Sequence, residues 1–351
     1  MKAPDPLLWR NRQKPPGSRG VALLMVLWVM MILSVVAMEF SFAMRTEANL
    51  TKNYRDELQL YALAEGGIQR GILEMILKHD PKIQQWRRTQ KSEEIPVEQR
   101  EWVSDGREYK VPFEKGEVRV RVIGEGGKIN INLVSEATLR KIIGNLGLEG
   151  EERDTIVDSI LDWRDPDDFY RLNGAENDYY QSLPEPYHCK NGNLDSIEEL
   201  LLIKGVSPAW FYGKRIREEG NEEPGGERIG LRDIFSIYAP GEQIDLNSAA
   251  LPVLKVVLGI PFSLARQIVA AREEKPLESF QDLQQRVPEI VPFLPNIQRQ
   301  AVFRATIPYY TIEAKAKLPE GGLTRGIKAI VKIDVREKNY HKVIQWMDAV
   351  F

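Results

Sequence analysis

An uncharged stretch of eighteen residues, positions 21–38, constrains the fold of this chain more than any other feature. Five basic residues precede it, against the single acid Asp5. At ~1.5 Å rise per residue, a helix of about twenty residues just crosses a hydrocarbon core of ~30 Å. The basic flank predicts that the N-terminus stays in the cytoplasm and the bulk of the chain lies beyond the membrane. We therefore expect a single crossing.

A cleaved secretory signal is the alternative interpretation, but Ala37, Met38, Glu39 and Phe40 make a poor cleavage site. Helical periodicity also continues past the membrane edge, to about Lys78. The apolar residues that recur at three, four or seven positions are Leu50, Tyr54, Leu58, Tyr61, Ile68, Ile72 and Met75. This stripe predicts a spanning helix that runs directly into an amphipathic one.

The N-terminus resembles that of type IV prepilins, in which a peptidase cuts after a glycine on the cytoplasmic side. The matching bond here joins Gly20 and Val21. The resemblance implies that a prepilin peptidase cuts after Gly20 and methylates the new amine of Val21. Pilins carry a glutamate five residues into the mature chain, where this sequence has Met25. Because a buried carboxylate needs a partner, we interpret Met25 as suited to a filament tip.

Composition limits the remaining possibilities. The chain has 351 residues, 43% hydrophobic and 28% charged, which is enough for two or three cores. Removing residues 1–20, with five basic side chains and one acidic, changes the net charge from −3 to −7. Such a charge argues against nucleic acid as a partner. The only cysteine, Cys189, cannot form an intramolecular disulfide.

Strand patterns occur at both ends of the region after the helix. They cover residues 107–113 and 117–123, then 310–318, 325–336 and 342–347. Val118, Val120 and Val122 alternate with charged residues, which predicts a half-buried strand. The long segment between the two groups reads as helical. The pattern predicts an α+β fold: a pilin-like long helix and antiparallel sheet, with a large all-α insertion.

The insertion contains an internal repeat. Residues 129–132 (ININ) align with 244–247 (IDLN), and residues 194–200 (LDSIEEL) match 277–283 (LESFQDL). We expect Asn132 and Asn247 to cap helices, and Gly147 and Gly259 to end them. The sequence thus predicts two small SAM-like or helix-hairpin-helix-like units, at about 129–205 and 244–290.

Helix-hairpin-helix modules often bind DNA, so a membrane-anchored DNA-binding protein is a rival function. Such binding uses glycine amides with nearby basic residues. The first hairpin instead carries Glu149, Glu151 and Glu152, and the second, at 259–262 (GIPF), lacks the second glycine and one amide donor. A helical scaffold that presents a surface is the better interpretation.

The segment with the most chemistry, called the acidic segment below, covers residues 162–180 and contains six carboxylates and two arginines. Dense carboxylates repel one another unless a cation or arginine intervenes, and hard oxygen ligands suit Ca²⁺. An EF-hand fits poorly, because Phe169 and Tyr170 stand at its fifth and sixth positions. The alternative is a solvated turn, capped by Asp165 and paired with Arg164 and Arg171. Spacing alone leaves both open.

The acidic segment also carries the most specific resemblance. Its aspartate-tryptophan run, Asn-Gly-Ala-Glu at 173–176 and Tyr-Tyr at 179–180 resemble the minor pseudopilin K family of the type II (general) secretion system. That family lacks the early glutamate and carries a large helical insertion in a pilin-like fold. The resemblance implies one or two Ca²⁺ ions in the insertion. The candidate ligands are Asp165, Asp167, Asp168, Glu176 and Asp178. Family members can carry a disulfide, which lone Cys189 rules out here.

The resemblance further implies a subunit at the pseudopilus tip, in the inner membrane of a Gram-negative bacterium, with its bulk in the periplasm. Its expected partners are minor pseudopilins I and J, major pseudopilin G, the prepilin peptidase and the inner-membrane secretion platform. A minor pilin of a type IV pilus is an alternative of the same class. We expect no enzymatic activity, since His79, His188 and His341 form no metal-binding pair and no phosphate loop or nucleophile elbow occurs.

These inferences predict five regions. They are a leader at 1–20, a transmembrane or filament-core helix at 21–42, an amphipathic helix with the first strands at 43–128, the helical insertion at 129–307, and closing strands at 308–351.

Overall fold

The computed structural model describes residues 19–89, 101–215, 228–304, 307–319, 322–334, 336 and 338–349. The predicted leader lies outside these residues up to position 18. The chain divides into two compact units, Met1–Gln59 and Leu60–Phe351.

The helices, in chain order, are α1 (Arg19–His79), α2 (Pro81–Thr89), α3 (Glu136–Asn145), α4 (Gly150–Arg164), α5 (Asn177–Gln181), α6 (Pro208–Tyr212), α7 (Leu231–Ile234), α8 (Leu251–Leu258), α9 (Phe262–Glu274), α10 (Phe280–Arg286) and α11 (Leu294–Gln300). The strands are β1 (Asp105–Phe113), β2 (Gly116–Gly124), β3 (Ile129–Asn130), β4 (Lys214–Arg215), β5 (Arg228–Ile229), β6 (Phe235–Ser236), β7 (Ile244–Asp245), β8 (Ala301–Val302), β9 (Tyr309–Lys317), β10 (Thr324–Ile333) and β11 (His341–Ala349). Single 3-10 turns cover Glu125–Gly127, Ile197–Leu202 and Pro288–Phe293.

Helix α1 is continuous through the membrane-like stretch and the amphipathic stripe, as the periodicity predicts. Its apolar side chains from Val21 to Leu58 are exposed. From Leu60 onward one face is buried, and the residues on that face are Leu60, Ala64, Ile68, Ile72 and Met75. The helix therefore has an exposed apolar part and a part that belongs to a folded core.

That core lies between α1 and a five-stranded antiparallel sheet in the order β1-β2-β9-β10-β11. Strands from both ends of the sequence meet where β2 pairs with β9, with Val120 opposite Ala314. Val118, Val120 and Val122 are completely buried, as their alternation predicts. The α+β class with a long N-terminal helix is confirmed, and the strand boundaries agree with the predictions to within about three residues.

Two glycines allow α1 to approach the sheet closely. A Cβ at Gly67 would lie 2.6 Å from Val118 Cγ1 and 3.0 Å from Ala314 Cβ. One at Gly71 would lie 2.8 Å from Ile312 Cγ2. Both glycines face apolar side chains that are themselves fully buried. Their missing side chains thus set the distance between helix and sheet.

The helical region between β2 and β9 has its own core and carries the same hydrogen bonds twice. The Asn132 side chain donates to Leu194 O at 3.0 Å and accepts from Leu194 N at 2.8 Å. Asn247 makes the same pair with Leu277, at 2.9 and 2.8 Å. The prediction that these asparagines cap helices is wrong: Ser135 caps α3 and Ala250 precedes α8. Each asparagine instead joins two distant segments of its half through backbone hydrogen bonds, 62 residues away for Asn132 and 30 residues away for Asn247.

Two arginines complete this correspondence. Arg164, at the end of α4, donates to Ile131 O and Val134 O. Arg272, near the end of α9, donates to Leu246 O and Ala249 O. The helix ends also agree with the sequence, because Gly259 ends α8 in the left-handed region at φ 67° and Gly147 follows α3 at φ 92°.

Buried polar groups connect the sheet to the helical region. Asp105 at the start of β1 lies 3.0 Å from Arg272, and both side chains are nearly inaccessible. Glu125, in the turn after β2, accepts hydrogen bonds from Thr311 on β9 and from Lys128. Because burying an unpaired charge is costly, these pairs favour one arrangement of the two layers.

Candidate functional site

The acidic segment begins on α4, whose last two turns direct Asp158 and Asp162 to the same side of the helix. Asp162 is fully buried and accepts hydrogen bonds from Arg171 N, Arg171 Nη1 and Ala175 N, at 2.6 to 3.1 Å. Burial raises the pKa of Asp162 above its ordinary value, although these donors oppose the shift. A Cβ at Gly174 would overlap its Oδ2 atom. Asp162 therefore organises the loop, a role that the sequence did not reveal.

Asp165 is the C-cap residue of α4, whereas the sequence predicted that it caps the turn that follows. Its Oδ2 atom accepts from Arg171 at 2.7 Å, while Oδ1 is buried without a hydrogen-bond partner. The predicted pairing with Arg171 is thus present. The predicted pairing with Arg164 is wrong, because that guanidinium donates to the backbone carbonyls of Ile131 and Val134.

Asp167 and Asp168 lie on the exposed part of the loop. Asp167 accepts from Phe169 N at 2.9 Å, which closes a short turn. Asp168 Oδ1 accepts from the side-chain amides of Asn177 and Asn191, each at 2.9 Å. Both aspartates therefore shape the loop in this structure.

Glu176 is the exceptional carboxylate. It is only 4% exposed, and neither of its oxygens accepts a hydrogen bond from a nitrogen or oxygen donor. Burial, and then the charges of Asp162, Asp165 and Asp168, raise its pKa to about 7. The thiol of Cys189 lies beside it, and burial raises the pKa of this thiol to about 12. An acceptor buried without donors is costly, so the arrangement suits a cation.

Asn191, which sequence reasoning missed, is another feature of the site. Its Oδ1 atom is buried without a partner, while its Nδ2 atom donates to Asp167 O and Asp168 Oδ1. Its backbone lies in the left-handed region at φ 47°, which asparagine tolerates better than most residues. The Asn-Gly pair at 191–192 was the available signal.

The predicted ligands do not all converge. Asp178 lies exposed in the first turn of α5, whereas the oxygens of Glu176 and the Oδ1 atom of Asp165 are buried. Among the described residues, no three Asp, Glu, His or Cys side chains lie at distances that would hold a metal ion. The unpartnered oxygens of Glu176, Asp165 and Asn191 nevertheless provide the hard donors that Ca²⁺ prefers. The chemistry of these oxygen donors fits calcium. Arg171 neutralises part of the negative charge of the site, because it pairs with Asp162 and Asp165.

The predicted processing residues lie at the start of α1, which includes Gly20 and Val21. Met25 is 61% exposed on the same helix. An eighteen-residue window here has a mean hydropathy of 2.8, so α1 is long and apolar enough to serve as a single membrane anchor.

Comparison with known proteins places the acidic segment in a family. Residues 125–213, which contain α3, α4 and the whole acidic segment, match the model for the type II secretion system protein K. A curated protein K from Pectobacterium carotovorum is 27% identical over 217 residues, 56% of this chain and 60% of that protein. Protein K of Pseudomonas aeruginosa is 24% identical over 286 residues, 78% of each chain. This chain is similar to the type II secretion system protein K family.

The fold of this chain also matches a solved one. A chain in the crystal structure of the GspK-GspI-GspJ complex from enterotoxigenic Escherichia coli superimposes with a TM-score of 0.54. The match covers 86% of this chain and 99% of that one, at 14% identity, and so establishes a shared fold. Residues 240–293, which include α8 to α10, match a helix-hairpin-helix motif. The resemblance inferred from the acidic segment is thereby confirmed at the level of the family.

Proposed function

We propose that this chain is a minor pseudopilin at the tip of the type II secretion pseudopilus, where it initiates or caps assembly and supports export across the outer membrane. The observation that carries the proposal is the division of α1. Its apolar half, from Val21 to Leu58, is exposed, while its second half packs against the five-stranded sheet. Exposed apolar stripes of this size require a partner, and a membrane or neighbouring pilin-type helices would provide it.

Met25 supports a terminal position. Between Val21 and Met38, α1 contains no ionisable side chain, so nothing on it needs a charged partner in a filament core. The helical region has a hydrophobic core separate from that of the sheet, so it enlarges the subunit beyond the long helix and sheet of a pilin-like fold. We propose that this bulk keeps the subunit at the filament end.

Processing is part of the same proposal. A prepilin peptidase would cut between Gly20 and Val21 and methylate the new amine, and α1 would then start at Val21. The mass of the chain purified from cells with and without the peptidase tests this step. We expect loss of residues 1–20 and gain of one methyl group only when the peptidase is present. An unchanged N-terminus in both strains would contradict it.

The proposed partners are minor pseudopilins I and J, then major pseudopilin G and the inner-membrane secretion platform, with the bulk of the chain in the periplasm. The solved relative of the same fold forms a complex with GspI and GspJ. The test is co-expression of the full chain with I and J from the same organism, followed by detergent extraction and affinity purification. A stoichiometric ternary complex is expected. Recovery of the chain alone, with I and J intact in the same extract, would contradict the tip role.

We also propose that the acidic segment binds calcium, as one or two ions. Glu176 and Asp165 would be the principal ligands, with Asn191 joining them through its side-chain oxygen. Both Glu176 oxygens, Asp165 Oδ1 and Asn191 Oδ1 are buried and accept no hydrogen bond from a nitrogen or oxygen donor. Asp167 and Asp168 would contribute from the exposed side, and Asp178 fits least well. Bound Ca²⁺ would neutralise the carboxylates and hold the loop on α4. Its contribution to stability would then depend on free calcium concentration.

The rival functions receive less support. A DNA-binding role would use the helix hairpins, yet Glu149, Glu151 and Glu152 surround the start of α4 and would repel phosphate. In the helix-hairpin-helix match at residues 240–293, Pro261 precedes α9 and has no backbone N–H to donate to a phosphate. A minor type IV pilin shares the N-terminal features but leaves the protein K match at residues 125–213 unexplained.

A further inference from the structure

The two halves of the helical region differ mainly in one connection. In the second half, four residues (273–276) link Arg272 to Leu277. In the first half, twenty-nine residues (165–193) link the corresponding Arg164 to Leu194. The hydrogen bonds at both ends are the same in the two halves. Because a short turn can close this unit, the long connection is not required by the fold.

Among the exposed large apolar side chains of the long connection, three are at least 70% exposed, and we call these three the apolar tip. Phe169 is 84% exposed, Tyr170 70% and Leu172 94%. They stand within four consecutive positions, whereas most apolar residues of the helical region are in its core. Clusters of exposed apolar side chains within a polar surround mark interaction sites in soluble domains.

Hydrogen bonds hold the backbone that carries the apolar tip. Phe169 N donates to Asp167 Oδ1, and Arg171 N donates to the buried Asp162. From the opposite side, Asn191 Nδ2 donates to Asp167 O at 3.0 Å. The loop is thus positioned before any partner binds, which reduces the conformational entropy lost on binding. Aromatic side chains presented in this way are typical centres of binding energy.

Charge identifies the partner's chemistry. The acidic segment has six carboxylates against two arginines, a net charge of −4. Asp167, Asp168 and Asp178 are its exposed carboxylates and flank the apolar tip in sequence. This rim repels anionic lipid surfaces and nucleic acid and attracts basic side chains. One bound Ca²⁺ would change this net charge from −4 to −2, so the segment would remain acidic.

We propose that the apolar tip binds a protein partner, by entering an apolar cleft that is bordered by lysine and arginine. Phe169, Tyr170 and Leu172 fill the cleft, and the exposed aspartates contact its basic border. This surface goes beyond the proposed tip role, because it assigns a second binding region outside α1.

Site-specific photo-cross-linking in living cells tests the proposal with the full chain. A benzophenone amino acid replaces Tyr170 in one strain and Tyr340 in a control strain, since Tyr340 is also 52% exposed. We expect a protein adduct at position 170 and none at 340. Peptide mapping should place the adduct on an apolar surface of the partner with neighbouring lysines or arginines.

A second pair of variants separates binding from folding. Phe169→Ser with Leu172→Ser removes exposed side chains, and should reduce the position-170 adduct by roughly tenfold, as expected for two residues central to binding. The matched control is Leu133→Ser with Leu323→Ser, which are 61% and 55% exposed elsewhere. This control should leave the adduct within about twofold of the parent.

Three outcomes would overturn the proposal. They are an absence of adduct at 170 above that at 340, adducts with lipid alone, or a mapped partner surface that is acidic or polar. The cross-link is scored without reference to export or to co-purification with I and J. A result against binding by Phe169, Tyr170 and Leu172 is therefore separate from a result against the proposed position of the subunit in the pseudopilus.

Discussion

Arg164 and Arg272 stand 108 positions apart in the sequence and each donates two hydrogen bonds to equivalent carbonyls in the two halves of the helical region. The carbonyls belong to Ile131 and Val134 in the first half and to Leu246 and Ala249 in the second. Only Arg272 adds an ion pair, to Asp105 on the sheet. The shared hydrogen bonds hold each half together, and the extra ion pair connects the second half to the core between α1 and the sheet.

The first prediction follows from this ion pair. Arg272→Ala would leave two carbonyls without donors and would leave the buried Asp105 with only Arg107. We expect the free energy of unfolding to fall by about 3–5 kcal/mol, as when one partner of a buried pair is removed. Urea denaturation of the purified chain measures it. Arg119→Ala, which breaks only half-exposed pairs with Glu117 and Glu108, is the control and should cost less than about 1 kcal/mol. Equal losses in the two variants would refute the importance of the buried pair.

A second prediction concerns neighbouring glycines of α1. Alanine gains up to ~1 kcal/mol over glycine in a helix. At Gly67 the added methyl would meet Val118 and Ala314 in a full core, so Gly67→Ala should lower stability by about 1–3 kcal/mol in spite of this gain. At Gly66 the methyl would meet only the ring of Phe113 at 3.2 Å, and that ring is partly exposed and can shift. Gly66→Ala should be neutral or stabilising. The order of the two melting temperatures checks the prediction, and a Gly67→Ala variant that melts higher would contradict the close approach of helix and sheet.

The third prediction concerns calcium. Glu176→Ala with Asp167→Ala should abolish most of the rise in melting temperature that calcium produces in the parent chain, because mass-action stabilisation disappears with the site. Asp178→Ala is the matched control, since its carboxylate is exposed and Asp178 is the candidate ligand that fits the site least well. Calcium should still raise its melting temperature. If the double variant responds to calcium and chelator as the parent does, this siting of the ion is wrong.

The fourth prediction uses the pKa of Glu176, raised to about 7 from an ordinary value of 4.5. A raised carboxyl pKa means that the folded chain holds the proton more tightly than the unfolded chain. The stability contributed by this group is therefore complete below about pH 4.5 and is lost as pH rises through 7. In chelator, Glu176→Gln should be more stable than the parent by roughly 1–3 kcal/mol at about pH 8, with a smaller difference at about pH 5.

Calcium should reverse the order of these two proteins near neutral pH, because the glutamine lacks the charge that binds the ion. Urea midpoints at the two pH values, in chelator and in calcium, supply the comparison. A difference in stability that does not change with pH in chelator would show that Glu176 is not buried as the structure places it.

Much of the fold follows from local patterns. The period-two alternation at Val118, Val120 and Val122 predicted a strand correctly, because half-buried strands alternate whatever their partner is. The stripe at Ile68, Ile72 and Met75 likewise predicted a helix. The roles of Asn132 and Asn247 were predicted wrongly. A cap is a local interaction that spacing suggests, whereas their actual partners, Leu194 and Leu277, are reached only after the chain folds back.

The candidate site was predictable only in outline. The density of carboxylates pointed to the right segment, and Glu176 is among its buried members. The sequence could not separate Glu176 from Asp178, because their different burial depends on how α5 packs. It also missed Asp162, whose position at the end of a buried helix face gives it backbone donors that no spacing rule shows.

The long connection at 165–193 and the short one at 273–276 begin and end on the same hydrogen-bonded frame. Changes in length between those fixed points leave the frame's own contacts in place. This connection can therefore change in length and sequence while the helical region keeps its fold. Replacing residues 165–193 with the connection of a related protein would transfer the exposed surface of that protein, and the helical region would need no other change.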